Sequence, residues 1–122
     1  MKLVDTDVFI DLLRGLDQAK IFFTKNQEEL IFSSITEGEL LSGSKCKDPK
    51  EKERVLHLMS QFDKVLVDNP LIQIAGGIRR DYALELPDAI VAASAMVTNS
   101  TLLTRNTKHY KKVKGLLVQK PY

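Results

Sequence analysis

The chain has 122 residues, of which 43% are hydrophobic and 28% are charged, and its formal net charge is +2. This length and composition exclude an intrinsically disordered chain and predict one compact domain over residues 1–122. Cys46 is the single cysteine, so no internal disulfide forms, and every apolar run is shorter than the ~18 residues of a membrane span. We therefore expect a cytoplasmic protein with no membrane partner.

Basic residues are concentrated at the end of the sequence. The segment from Arg105 to Tyr122 holds six of the 18 basic residues and none of the 16 acidic ones. The rest of the chain then carries 12 basic and 16 acidic side chains, a net charge of −4. Clustered Lys and Arg attract polyanions such as nucleic acid, although a solvated surface helix shows the same composition.

The first predicted elements are a strand and two helices. Leu3 and Val4 form a buried strand that ends at Asp5. In "DTDVFIDLLRG" the apolar residues recur at helical spacing, and Gly15 is a suitable stop. A second helix is predicted over Asp17–Asn26.

The middle of the chain continues this alternation. "LIFSS" is a short buried strand by its β-branched and aromatic content, and "TEGELLSG" is a helix with Gly43 near its end. "DPKEKERVLHLMSQF" is an amphipathic helix capped by Asp48, with Pro49 in its first turn. Its apolar residues at spacings of three and four are Val55, Leu56, Met59 and Phe62.

The second half repeats the pattern. "KVLVD" predicts a strand, "PLIQIAGGIRRDYALE" a helix opened by Pro70, and "PDAIVAASAMV" a helix apolar on nearly all sides and therefore buried. "TLLT", "NTKHYKK" and "LLVQ" predict a strand, a short helix and a last strand. Strands separated by helices pair in parallel through right-handed crossovers. The predicted class is therefore α/β, with a central, mainly parallel sheet.

Three acidic residues fall near the starts of predicted helices. Asp5 and Asp88 also suit helix capping, and Glu39 also suits an exposed helix surface. In parallel sheets, however, ligands bind at the carboxyl ends of the strands, where these acids are expected to meet. Two carboxylates ~4 Å apart repel by about 4 kcal/mol at an effective dielectric near 20, which a cation would offset. An all-oxygen site favours Mg²⁺ or Mn²⁺ over zinc.

Other polar residues accompany these acids. Asp7 is a second acid where only one helix cap is needed. Thr104 ends the predicted strand 101–104, Asn106 and His109 follow it, and all three would reach the same edge of the sheet. A lone histidine is more often a surface residue than a ligand, so both interpretations of His109 stay open.

Four segments, in order, resemble the signatures of a known family. "VDTDVFID", "SSITEGELLSG", "LPDAIVAASA" and "LLTRNTKHY" are similar to successive motifs of the PIN domain, and more narrowly of VapC toxins from toxin–antitoxin pairs. The resemblance covers residues 3–110. It implies a three-layer α/β/α PIN-like fold and a metal-dependent ribonuclease. It also implies a homodimer and a small antitoxin partner.

The resemblance also implies roles for individual residues. Asp5 and Asp88 correspond to metal ligands, and Glu39 corresponds to a further catalytic acid. The family often carries a fourth acid at the position of Asn106 or His109, and neither residue is acidic here. The number of metal ions therefore stays open. Asp7 stands where the family usually has Asn, Ser or Thr, and it could compensate.

The expected reaction is hydrolysis of an RNA phosphodiester with Mg²⁺ or Mn²⁺ as cofactor. Asp5, Glu39, Asp88 and Asn106 form the predicted catalytic set, and Asp7, Thr104 and His109 support it. The predicted RNA-binding residues are Arg105, Lys108 and Lys111. Because splayed backbone enters an acidic pocket more readily than duplex does, single-stranded or looped RNA is the expected substrate.

Alternative functions stay open on the sequence alone. One is a non-catalytic PIN-like module that binds RNA or protein. Another is a phosphoaspartate phosphatase, because "LVDTD" also fits a strand followed by D-x-D. For the antitoxin, adjacent apolar residues at Phe22 and Phe23 and at Leu12 and Leu13 suggest either an exposed groove or simply core.

Overall fold

Five short strands form one sheet in the computed structural model, which describes residues 1–122. The strands are β1 (Lys2–Val4), β2 (Leu30–Ser33), β3 (Asp63–Val65), β4 (Thr101–Leu103) and β5 (Val118–Gln119). Their order across the sheet is β3-β2-β1-β4-β5, and every pair is parallel. All carboxyl ends of the strands therefore lie along one edge, with β1 in the centre.

Seven α-helices connect and cover the strands. They are α1 (Thr6–Leu13), α2 (Asp17–Asn26), α3 (Ser34–Leu41), α4 (Pro49–Met59), α5 (Asn69–Tyr82), α6 (Leu86–Val97) and α7 (Thr107–Tyr110). Short 3-10 turns occupy Gln27–Glu29 and Ser44–Lys47. None of the helices combines the length and apolarity that a bilayer crossing requires.

The sheet separates two hydrophobic cores. Successive side chains of a strand point to opposite faces, so each central strand supplies both cores. One core takes one residue from each of these strands, Leu3, Ile31 and Leu102, and is completed by α5 and α6. The opposite core contains Val4, Phe32 and Leu103 and is completed by α1, α2 and α4. This arrangement confirms the predicted α/β/α fold with a parallel sheet.

Helix α6 lies in the middle of the first core, as its sequence predicts. All residues from Ala89 to Ala95 are buried. The one polar side chain in this run, Ser94, donates its hydroxyl to the carbonyl of Ile90 at 2.7 Å, so no buried donor is left unpaired. The alanines allow α5 to pack closely against α6.

Two predictions about the middle of the chain are wrong in detail. The predicted strand "KVLVD" pairs only over Asp63–Val65, and Asp68 instead caps α5 by accepting the Leu71 amide at 3.0 Å. Leu56 was expected to point inward, but it is 40% exposed. The buried face of α4 is centred on Val55 and Met59, four residues apart, and Leu56 is turned about 100° away from Val55.

Of the two alternatives for Phe22 and Phe23, the structure supports core and not an exposed groove. These side chains are only 8% and 6% exposed. The Phe23 ring lies 5.2 Å from that of Phe9, and the Phe22 ring lies 6.2 Å from that of Tyr122. Consecutive aromatic residues are both buried because each is covered by a different part of the chain.

Candidate functional site

Asp5 lies at the carboxyl edge of the sheet, directly after the central strand. The strand ends at Val4, one residue earlier than predicted, so Asp5 is the N-cap of α1 and not the last strand residue. One carboxylate oxygen accepts the Thr6 amide at 2.8 Å, and the other accepts the Thr104 hydroxyl at 2.9 Å. Thr104 follows β4, the neighbouring strand, so two adjacent strand ends fix this carboxylate in place.

Asp7 lies one residue further along and shares the same donors. Its Oδ2 atom accepts the Arg105 amide at 3.1 Å and the Thr104 hydroxyl at 3.4 Å. Its Oδ1 atom is buried and has no hydrogen-bond partner. A buried carboxylate oxygen without a donor is costly, so this atom is a candidate ligand for a cation.

Glu39 reaches the site from α3. This helix begins at Ser34, two residues earlier than predicted, so Glu39 lies deeper inside the helix than expected. Its carboxylate accepts the Thr6 hydroxyl at 2.7 Å, and Thr6 also lies 2.9 Å from the Thr36 hydroxyl. Sequence reasoning missed both threonines. The spacing of Thr36 three residues before Glu39, on the same helix face, was the available signal.

Asp88 reaches the site from the first turn of α6. It does not cap this helix, since the cap position belongs to Glu85 and makes no side-chain hydrogen bond. Its two oxygens instead contact His109 Nε2 at 2.9 Å and accept the Tyr110 hydroxyl at 3.2 Å. His109 was a predicted supporting residue, whereas Tyr110 was missed. Tyr110 is 1% exposed and belongs to the core, so its sequence signal was that of a buried aromatic.

One pocket of about 260 Å³ collects these side chains. Its polar lining comprises all four predicted catalytic residues and three neighbours: Asp5, Glu39, Asp88 and Asn106, together with Thr6, Asp7 and His109. The backbone N–H of Asn106 donates to Thr104 Oγ1 at 3.1 Å, and this hydrogen bond holds the loop after β4 beside the pocket. We refer to this cavity as the acidic pocket.

The predicted RNA-binding residues differ in their surroundings. The Arg105 guanidinium is 56% exposed and pairs with the buried carboxylate of Asp11 at 2.9 Å, which also accepts the Tyr122 hydroxyl. Part of the Arg105 guanidinium is therefore already bound within the protein, and the rest is exposed. Lys108 and Lys111 are exposed on and just after α7, form no ion pair and follow directly on the loop that lines the acidic pocket.

The acidic pocket concentrates negative charge that the protein only partly neutralises. Burial, followed by repulsion from Asp7, raises the pKa of Asp5 to about 7. Burial also raises the pKa of Asp7, although the Arg105 amide and the Thr104 hydroxyl oppose this rise. Neither Asp5, Asp7 nor Glu39 forms an ion pair with a basic side chain.

The donor set fits a hard divalent cation. The pocket offers carboxylate, hydroxyl and amide oxygens, which are the ligands that Mg²⁺ and Mn²⁺ prefer. It offers no thiol. The unpaired Oδ1 of Asp7 and the raised pKa of Asp5 both indicate a deficit of positive charge. The acids share one cavity, but no three of them already converge as a formed metal cluster. Residues 5, 39 and 88 therefore line one pocket, as predicted. They do not approach one another as closely as expected.

Comparison with known proteins agrees with this architecture. Ribonuclease VapC19 of Mycobacterium tuberculosis is 31% identical over 130 aligned positions, which cover 100% of both chains. A chain in the solved toxin–antitoxin complex from Klebsiella pneumoniae is 31% identical, with a TM-score of 0.85 over 100% of this chain and 98% of that one. VapBC2 from Rickettsia felis, solved with a promoter DNA fragment, shares the fold at 20% identity. Its TM-score is 0.82, over 98% of this chain and 97% of that chain.

A protein family also matches most of the chain. The PIN domain matches residues 2–116, which include every strand except β5 and all seven helices. The four segments that resemble PIN motifs all lie inside this range. This chain belongs to the PIN domain family.

Proposed function

We propose that this chain, as a single PIN domain over residues 1–122, is a divalent-metal-dependent endoribonuclease and the toxin of a toxin–antitoxin pair. The observation that carries the proposal is the acidic pocket, which four carboxylates line with His109 as the only basic side chain. The full-length relative named as a ribonuclease supports the reaction. Family membership also favours this hypothesis over the phosphoaspartate alternative.

Asp5 and Asp88 would hold a Mg²⁺ or Mn²⁺ ion, with Asp7 Oδ1 as a further oxygen ligand. Such an ion, when bound, neutralises charge on the scissile phosphate and lowers the pKa of a water molecule. Asp7 supplies from α1 the fourth carboxylate that the loop after β4 lacks.

The protein's own residues orient the reaction. Glu39, fixed by the Thr6 hydroxyl, would align the attacking water and accept its proton. His109 and Tyr110 fix the carboxylate of Asp88, and Thr104 fixes that of Asp5. Asn106 offers an amide to the phosphate at the rim of the pocket.

The proposed partners are RNA and a small antitoxin protein. Lys108 and Lys111 would attract the RNA backbone toward the acidic pocket, with Arg105 contributing the exposed part of its guanidinium. The likeness to a chain in a solved toxin–antitoxin complex at 31% identity supports a small antitoxin as the protein partner. The family resemblance supports a homodimer, and the single cysteine is consistent with action in the cytoplasm.

The test is cleavage of a folded RNA by the purified protein. Cleavage is expected with Mg²⁺ or Mn²⁺, is abolished by EDTA and returns when Mg²⁺ is restored. Asp63→Asn, which neutralises an exposed acid on the edge strand β3, is the matched control and keeps full activity. Cleavage that survives both EDTA and Asp5→Asn would refute the mechanism. RNA that is bound with equal affinity with and without divalent ions, and never cut, would support a non-catalytic module instead.

A further inference from the structure

A second cavity opens directly beside the acidic pocket. It has a volume of about 290 Å³ and lies between α1, the end of α3 and the start of α4. Ile10 and Glu39 line both cavities, so the two share a wall. A chain bound across Ile10 and Glu39 would therefore be within reach of both cavities. We call this second cavity the Arg14 pocket.

One part of the lining of the Arg14 pocket is apolar. Leu40 and Val55 are buried core residues that form part of its lining, and Ile10 and Leu13 are half-buried on the α1 side. Such a lining favours a flat, weakly polar group over a hydrated ion. The volume is at the lower end of the range for small-molecule sites, and it is too small for a docked helix.

The rim of the Arg14 pocket is basic. Arg14 and Lys45 are exposed and form no ion pair, whereas the nearby Arg54 is already committed to Glu51 and to the Leu13 carbonyl. The guanidinium of Arg14 and the ammonium of Lys45 are thus free to bind an anion. Cationic side chains beside apolar ones suit a ligand with an aromatic ring and a phosphate.

The two adjacent pockets differ in the sign of their charge. The lining of the acidic pocket has four acids and one histidine, whereas the Arg14 pocket has three basic residues and two acids. A single-stranded nucleic acid offers a backbone phosphate and an unstacked base within one nucleotide. Its phosphate at the metal-binding acids would leave the neighbouring base facing the Arg14 pocket.

We propose that the Arg14 pocket binds the nucleobase adjacent to the scissile phosphate, with Arg14 and Lys45 contacting the next phosphate along the strand. This inference rests on the proposed ribonuclease function and adds a substrate subsite to it. Base contacts are apolar or stacked on the Arg14 guanidinium, so the pocket contributes affinity and register on the RNA with little base selectivity.

The test measures binding of single-stranded hexauridine probes in which one abasic residue is moved along the strand. Fluorescence anisotropy with Ca²⁺ in place of Mg²⁺ leaves all the acids of the pocket unchanged and avoids cleavage of the probe. One abasic position is expected to weaken binding about tenfold, the size expected for loss of one stacked base. The double variant Arg14→Ala/Lys45→Ala should lose a similar factor with the intact probe and become insensitive to that abasic position.

The matched control is Lys25→Ala/Lys52→Ala, which removes two exposed basic residues outside the pocket. The proposal is overturned if the Arg14/Lys45 variant binds like this control, if it keeps the same sensitivity to the abasic position, or if no probe binds at all. Cleavage by the wild-type protein is scored separately. If the wild-type protein does not cleave RNA but the expected binding pattern is observed, the ribonuclease proposal is rejected and the nucleotide-binding pocket is retained.

Discussion

The two halves of the acidic pocket hold their carboxylates by different means. On the β1 half, Asp5 and Asp7 accept hydrogen bonds only from neutral groups, namely hydroxyls and backbone amides. On the α6 half, Asp88 faces His109, which can carry a positive charge, and the Tyr110 hydroxyl. Neutral donors relieve repulsion only in part, and the pKa of Asp5 is accordingly raised to about 7. The β1 half therefore depends on an external cation more than the α6 half does.

Neutralising one acid in each half gives the largest effects and separates stability from activity. Asp5→Asn and Asp88→Asn should each lower the RNA cleavage rate at least about 100-fold, because each removes a charged metal ligand. Asp5→Asn should nevertheless stabilise the metal-free protein by about 1–2 kcal/mol at pH 8, since Asn keeps the helix cap and removes a desolvated charge beside Asp7.

Thermal denaturation in EDTA measures this difference between the two halves. Asp88→Asn should give no such stabilisation, because it weakens contacts to His109 and Tyr110. Asp63→Asn controls for the general loss of a surface charge. Equal stabilisation by both pocket variants would contradict the asymmetry between the halves.

Metal binding should depend strongly on pH through the β1 half. A cation binds the ionised form of Asp5, so below the pKa of about 7 the affinity should fall by up to about tenfold per pH unit. Conversely, the metal-free fold should lose stability as the pH rises from about 4 to about 7, because the folded state then binds more protons than the unfolded chain.

Calorimetric titration with Mn²⁺ in buffers of different ionisation enthalpy tests this prediction. Near pH 6.5 binding should release between half a proton and one proton, and Asp5→Asn should abolish most of that release. Binding that is constant from pH 5.5 to 8 would show that Asp5 is already ionised without the cation.

The Thr104 hydroxyl is the main donor shared within the β1 half. Thr104→Val should raise the pKa of Asp5 further and shift the rising limb of the pH–rate profile upward by roughly half a unit. The rate at neutral pH should fall about threefold and recover at higher pH. Thr104→Ser, which keeps the hydroxyl, is the matched control, and a loss that no increase in pH restores would argue against an electrostatic role.

Tyr110→Phe should have the smallest effect. It removes one hydrogen bond to Asp88 and leaves the buried ring in place, so the expected loss of stability is about 1 kcal/mol. Activity should fall only a few-fold, because His109 still orients the carboxylate. Denaturant unfolding and initial cleavage rates measure the two effects. A loss of 100-fold in rate would instead assign the Tyr110 hydroxyl to the reaction itself.

Local patterns in the sequence predicted the sheet and most of the pocket. The strand before Asp5, the Asp48 cap and the buried α6 depend on neighbours within a few residues, and all three are found in the structure. The position of Asp88 was misread because Glu85 rather than Asp88 precedes the first turn. Pro87 within that turn fits either boundary.

Individual side-chain contacts between distant segments could not be predicted from the sequence. The roles of Thr6 and Tyr110 arise from partners 33 and 22 residues away, and Arg105 pairs with an acid 94 residues away. No local spacing encodes such pairs, since they form only when the sheet brings the loops together. The burial of both Phe22 and Phe23 likewise depends on α1 and on Tyr122.

The most direct test of the account is anomalous scattering from a crystal of the protein soaked in Mn²⁺. The account predicts a peak in the acidic pocket coordinated by the carboxylates of Asp5 and Asp88, and the loss of that peak in Asp5→Asn crystals. A saturating soak that leaves this pocket without a peak, or that places manganese only at other acids, would contradict it.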